Sequence, residues 1–347
     1  MTLGPLMVDV AGKHLDAEDR ELLAHPLVGG VILFTRNFES LEQITALVAE
    51  IHAIRTPPLL VTVDHEGGRV QRFRKEFTVL PAMRLIGHQY DMDRVAGLKL
   101  ARQTGWLMAA ELRSIGVDMS FAPCVDLDYG VSEVIGDRSF HRDPGVVADL
   151  AVAFMGGMRE AGMAAAAKHF PGHGAVIADS HVAQPVDRRA YADMADDIYP
   201  YRRLIDNGLP AVMVSHVVYS AVDPRAAGFS PRWLQEELRG RLKFAGAIFT
   251  DDLTMQGASV AGTMTERAKA ALASGCDVLP ICNNRQGVIE VVEALSNWED
   301  ALGQIRLVRL HGLPGPSREE LARSEQWQGC VQAVERCKAP PELKLDS

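Results

Sequence analysis

The chain has 347 residues, 47% of them apolar and 23% charged, with a formal net charge of -9. A chain of this length buries a sizeable core without staples, and its negative balance leaves no electrostatic footprint for nucleic acid or an anionic membrane surface. The opening MTLGPLMVDVAGKHL has no basic segment followed by an apolar one, so no signal peptide is expected.

In chain order, apolar runs of strand length alternate with longer amphipathic stretches. The runs are LMVDV from Leu6, VGGVILF from Val28, PLLVTVD from Pro58 and VDMSFAPCVDL from Val117. MAAAAKHF from Met163, PAVMVSH from Pro210, GAIFTDD from Gly246 and CDVLPICN from Cys276 follow. Runs of this kind, separated by helical stretches, indicate parallel strands buried on both faces. Helices are predicted from Ser40, a good N-cap, and over 93–115, 144–161, 193–207, 264–274 and 286–295. Gly116, Gly162, Gly208 and Gly275 stand where four of these should stop in a left-handed turn. Eight strand–helix alternations predict an α/β fold, a single (β/α)8 TIM-type barrel, with an open doubly wound sheet as the alternative. The whole of 1–347 is expected to form one catalytic domain, with a C-terminal helix over 318–338 and a frayed tail over 339–347.

The apolar runs are all too short to span a bilayer. Cys124, Cys276, Cys282, Cys330 and Cys337 are scattered and without CxxC spacing, which fits a reducing, cytoplasmic setting.

A barrel active site forms at the C-terminal ends of the strands. There the sequence places Thr35-Arg36-Asn37, then Asp64-His65-Glu66, Asp126 with Arg138 beyond it, Lys168-His169, Ser215-His216, Asp251-Asp252 and Asn283-Asn284. Any one such ending is equally well a satisfied strand-end polar group, but so many on one face point to a reaction site. The strongest local signal is KHFPGHGAVIADSH, Lys168 to His181. Asp179 and His181 fall two apart, so in an extended segment they share a side. A carboxylate there can fix the imidazole tautomer, which makes His181 a candidate general acid/base near neutral pH. His169, His173, Asp179 and His181 also contain enough donors for a metal, although their spacing matches no zinc signature. Of Asp251 and Asp252, one should face the barrel mouth as a candidate nucleophile; periodicity leaves open which, and the other is expected to support the loop or a helix N-terminus.

VDHEGGRVQRF from Val63, GDRSF from Gly136, KHFPGHG from Lys168, ADSH from Ala178, FTDDLTM from Phe249 and CDVLPICNNR from Cys276 occur in one order along the chain. In these segments the chain resembles the family 3 glycoside hydrolases, and within them the bacterial β-N-acetylhexosaminidases. Thr250 stands where the family motif has serine, and the resemblance is to the short single-domain form, so the second domain of larger members is not expected. The resemblance implies Asp251 as nucleophile and Asp179 with His181 as the acid/base dyad. It implies Asp64, Arg72, Arg138, Lys168 and His169 as sugar-binding residues, with His65, Glu66 and His216 left in the surrounding shell. It further implies retaining removal of terminal β-linked N-acetylglucosamine from muropeptides in peptidoglycan recycling, and hence a part in cell-wall biogenesis, shape and division. No cofactor or metal is expected; the partner is the sugar substrate, and the default state is a monomer. The alternatives are a β-glucosidase, a substrate-assisted glycosidase, a barrel aldolase using Lys168 as a Schiff base, and a non-catalytic sugar-binding protein.

Overall fold

In the computed structural model the described residues are 3–177 and 184–338. The barrel strands are β1 (Leu6–Val8), β2 (Val28–Leu33), β3 (Leu60–Val63), β4 (Met119–Ser120), β5 (Ala166–Phe170), β6 (Ala211–Val214), β7 (Ala247–Thr250) and β8 (Leu279–Ile281). Every residue in them is buried, which is why each reads as a continuous apolar run and not as an alternating one.

Parallel pairing runs from β8 through β1, β2 and β3 to β4, and separately from β5 through β6 to β7. Two seams join these sheets. On one side Met119 pairs with Ala164 and Cys124 with Lys168; on the other, Phe249 pairs with Val278. Backbone bonds hold both seams, Val125 N–H to Lys168 O at 2.8 Å and Thr250 N–H to Val278 O at 3.0 Å. The ring is therefore closed in sequence order, as expected of a barrel, and the open sheet is excluded.

Local signals set the helices. Ser40 Oγ accepts from Gln43 N–H, and the Asp93 carboxylate accepts from Val95 and Ala96 N–H, so the helices Leu41–Ala53 and Arg94–Arg113 begin where their caps stand. Helices Pro144–Glu160, Ala195–Asp206, Met264–Ser274 and Arg285–Ala294 lie within two residues of their predicted bounds. Gly116, Gly162, Gly208 and Gly275 all have φ between +77° and +110°, a region that glycine enters without strain.

The expected single helix over 318–338 is two helices, Arg318–Arg323 and Glu325–Lys338. Ser324 between them is extended, and its Oγ accepts from Trp327 N–H, so it ends one helix and starts the next. The tail expected over 339–347 lies outside the described residues. No helix among the described residues is long and apolar enough to cross a membrane.

Candidate active site

A cavity of about 180 Å³ opens at the C-terminal ends of the strands. Asp64 and Glu66 reach it from the end of β3, Arg138 from the loop after β4, and Lys168 and His169 from the end of β5. Asp251 and Asp252 follow β7 into it, while Phe34, Met213, Met255 and Cys282 form its apolar side. A larger cavity, about 500 Å³, lies elsewhere, around Gly4, Leu27 and Trp298. Its buried acid, Asp277, is neutralised by Arg239 and Arg306 at 2.8 and 2.7 Å.

The polar wall of the smaller cavity is a chain of charges. Lys168 Nζ lies 2.9 Å from Asp64 Oδ1 and 2.5 Å from Glu66 Oε1. Arg138 donates to both Glu66 oxygens, at 2.8 and 2.9 Å. Arg72 lies 3.5 Å from Asp64 and 5.6 Å from the Phe34 ring centroid. Burial opposes the charge on Glu66, but Arg138 and Lys168 outweigh it and hold its pKa below the usual glutamate value. Burial likewise pushes Lys168 down, and Asp64 and Glu66 more than restore it. A Schiff-base lysine must be available as the neutral amine; Lys168 is held as a cation between two carboxylates, which argues against the aldolase alternative.

His169 is oriented from behind. Its Nδ1 lies 2.7 Å from Asp126 Oδ2, while its Nε2 lies 3.4 Å from Arg138. Asp126 also accepts from the backbone N–H of His169 and of His173. Despite full burial these contacts lower its pKa to about 2, with the charge of His169 the largest favourable cause. Among the described residues, Cys124, Asp126 and His169 place donor atoms close enough to share a metal ion. Their chemistry fits that poorly: Asp126 is already engaged by N–H donors, and burial holds the Cys124 thiol far above its usual pKa.

Both strand-end aspartates line the cavity, where periodicity leads one to expect only one, and their carboxylates differ in their partners. The Asp252 carboxylate is occupied by Thr254 N–H at 2.9 Å, Thr254 Oγ1 at 2.7 Å and Cys282 N–H at 3.2 Å, which ties the end of β7 to the end of β8. Burial raises its pKa to about 6. Asp251 Oδ1 accepts from the Asp252 N–H at 2.9 Å. His216 Nε2 sits 3.0 and 3.2 Å from the backbone carbonyls of Asp251 and Asp252, stacked on Phe229. Asp179 and His181 lie outside the described residues; the chain enters that stretch from His173, which lines the cavity.

Asp126 appears in the sequence only as one more strand-end acid, and its role behind His169 was not legible there. A lone aspartate after an apolar run carries no sign of a partner more than 40 residues away. Glu66, left in the surrounding shell by the sequence, lines the cavity itself, between Arg138 and Lys168.

The family model for the N-terminal domain of glycosyl hydrolase family 3 matches residues 4–310. The chain belongs to glycosyl hydrolase family 3. It is a glycoside hydrolase, and a curated relative named Beta-hexosaminidase, from Thioalkalivibrio sulfidiphilus, is 55% identical over the full length of both chains. NagZ from Neisseria gonorrhoeae, solved with N-trifluoroacetyl-D-glucosamine, is 41% identical, with a TM-score of 0.93 over 98% of this chain and 99% of that one. The same protein solved with a zinc ion gives a TM-score of 0.92 at the same identity and coverage.

Proposed function

We propose that this glycoside hydrolase is a retaining exo-β-N-acetylglucosaminidase. The observation that carries the reading is the convergence of Asp64, Arg138, Lys168 and His169 with Asp251 in one cavity. Two carboxylates, two cations and an imidazole can hold the hydroxyls of one sugar ring from several sides while leaving one carboxylate for its anomeric carbon. The sugar analogue bound to the gonococcal protein supports the choice of sugar.

Asp251 attacks the anomeric carbon, and the departing oxygen takes a proton from His181, oriented by Asp179. Water then attacks the glycosyl-enzyme, gives its proton to His181 and releases the carboxylate. Retaining enzymes ordinarily pair two carboxyl groups; an imidazole with a pKa of about 6.5 needs no large shift to serve both steps and places no second anion beside Asp251. The cations that hold Asp64 and Glu66 offset part of the negative charge that Asp251 brings to the cavity.

The family resemblance extends the reading to muropeptides as substrate, in cytoplasmic recycling of peptidoglycan, with a monomer acting without metal or cofactor. Turnover of p-nitrophenyl β-N-acetylglucosaminide against the β-glucoside tests it. The acetamido sugar should be preferred, His181→Ala should lose about 10²–10⁴ in rate, and Asp251→Ala, which lacks the nucleophile, should lose turnover. A preference for glucoside, or full activity in both variants, overturns it.

A further inference from the structure

His216 is fully buried, does not line the cavity and has no part in the chemistry above. It stands two residues beyond the end of β6. β6 pairs with β7 so that Val214 lies against Thr250, and Val214 O accepts from Asp251 N–H at 2.9 Å. That register brings the imidazole beside the turn that carries Asp251 and Asp252. Its Nε2 lies 3.0 Å from Asp251 O and 3.2 Å from Asp252 O. Both are carbonyl oxygens, so Nε2 carries the proton and donates to both. The peptide between Asp251 and Asp252 is planar and trans, so its C=O and N–H point to opposite sides. His216 holds the oxygen; on the other side, Asp252 N–H donates to Asp251 Oδ1 at 2.9 Å. Turning that plane would carry the donor away from the carboxylate. Through one rigid unit the imidazole fixes the direction of the Asp251 side chain.

The ring is itself held. It lies nearly parallel to Phe229, with 14° between the planes and 5.3 Å between centroids. Ala227 N–H to Val217 O at 2.9 Å and Gly228 N–H to Ser215 O at 3.1 Å fasten the backbone on both sides of His216 to the turn that carries Phe229. Filling space does not explain a histidine here. Burial lowers its pKa, and its Nδ1 has no hydrogen-bond partner among the described residues. An unsatisfied buried nitrogen is a cost that phenylalanine or leucine would avoid. What the imidazole supplies, and those residues cannot, is the N–H on Nε2.

We propose that His216 is a positioning residue for the nucleophile, holding the Asp251–Asp252 peptide so that its N–H keeps the Asp251 carboxylate aimed at the anomeric carbon. This rests on the reading of Asp251 as the nucleophile. A loosened carboxylate reacts more slowly at every competent site. A role in stability alone lowers the number of competent sites and leaves the rate at each one unchanged.

The test uses 5-fluoro-N-acetyl-β-glucosaminyl fluoride as the probe. A carboxylate oxygen of Asp251 bonds to the anomeric carbon as fluoride leaves, and the ring fluorine slows the water step, so the rate of labelling and the sugar carried per chain are read separately by mass spectrometry. His216→Phe keeps the ring and loses the N–H. It should label Asp251 about tenfold or more slowly, still reach full labelling, and bind N-acetylglucosamine within about twofold of wild type. The proposed sugar-binding side chains are held by partners other than His216. His216→Gln, whose amide nitrogen can take the place of Nε2, should stay close to the wild-type rate. His216→Asn, whose shorter amide falls short of the two carbonyls, replaces His216→Phe if that variant folds poorly. The proposal is overturned by full rate at a reduced number of sites, by N-acetylglucosamine binding that weakens in step with the rate, or by a glutamine variant as slow as the one lacking the donor. If wild type labels on Asp251 and the variant lacking the donor labels at the same rate, the positioning role alone fails; if wild type carries no sugar on Asp251, the assignment of the nucleophile fails and the proposal with it.

Discussion

Glu66 and Arg138 face each other through two hydrogen bonds of 2.8 and 2.9 Å, and the Glu66 oxygen in the shorter one also receives Lys168. One buried carboxylate thereby sets the position of two of the proposed sugar-binding cations. Glu66→Gln keeps the shape but leaves both cations short of a counter-charge. Breaking a buried pair from one side costs about 3–5 kcal/mol. The variant should unfold at lower denaturant and, where folded, show KM raised about tenfold or more, as expected when charged hydrogen bonds lose their geometry. Wild-type stability and KM together would contradict the role given to Glu66.

Asp252 predicts a pH dependence of stability. Its folded pKa is about 6 against an ordinary 3.8, raised chiefly by burial. Between those values the folded state binds more protons than the unfolded one, so this group's contribution falls as pH rises. It is least unfavourable below about pH 4 and fully unfavourable above about pH 6. Asp252→Asn should therefore gain stability relative to wild type as pH rises from 4 to 6, by up to about 3 kcal/mol. Denaturant unfolding of both proteins across that range checks it; a constant difference would remove the burial argument.

Gly174 predicts a steric limit on the loop after β5. A Cβ at this position would lie 1.8 Å from the carbonyl oxygen of Leu127, a backbone atom held by the loop after β4. Gly174→Ala must push the two segments apart, at an overpacking cost of about 1–3 kcal/mol. Its kcat should fall roughly tenfold or more, the scale on which small misplacements of positioned groups act. Wild-type kcat in steady-state assays would mean that the two segments separate freely.

Much of this fold was legible because its signals are local. The caps at Ser40 and Asp93 and the positive-φ glycines at 116, 162, 208 and 275 act within a few residues of their own positions. The seams that close the ring, Cys124 with Lys168 and Phe249 with Val278, join residues 44 and 29 positions apart and leave no periodic mark. The helix Ala17–Ala24 is short and weakly patterned, and the hairpin of His65–Gly67 with Val70–Gln71 has too few residues to show alternation. In the site, strand-end position placed Asp64, Lys168 and His169 at the barrel mouth, and all three line the cavity there. That Thr254 and Cys282 bond Asp252 was not legible, because Cys282 comes from the end of another strand.

The role proposed for Asp251 is tested most directly by trapping. A fluorinated N-acetylglucosaminide with a good leaving group slows departure of the sugar from the enzyme, so the glycosyl-enzyme accumulates and peptide mass spectrometry can locate it. The proposed mechanism predicts one sugar per chain, on the peptide containing Phe249-Thr250-Asp251-Asp252 and on Asp251 itself. Active enzyme that turns the reagent over without any labelled peptide, or that carries the label on another residue, would contradict it.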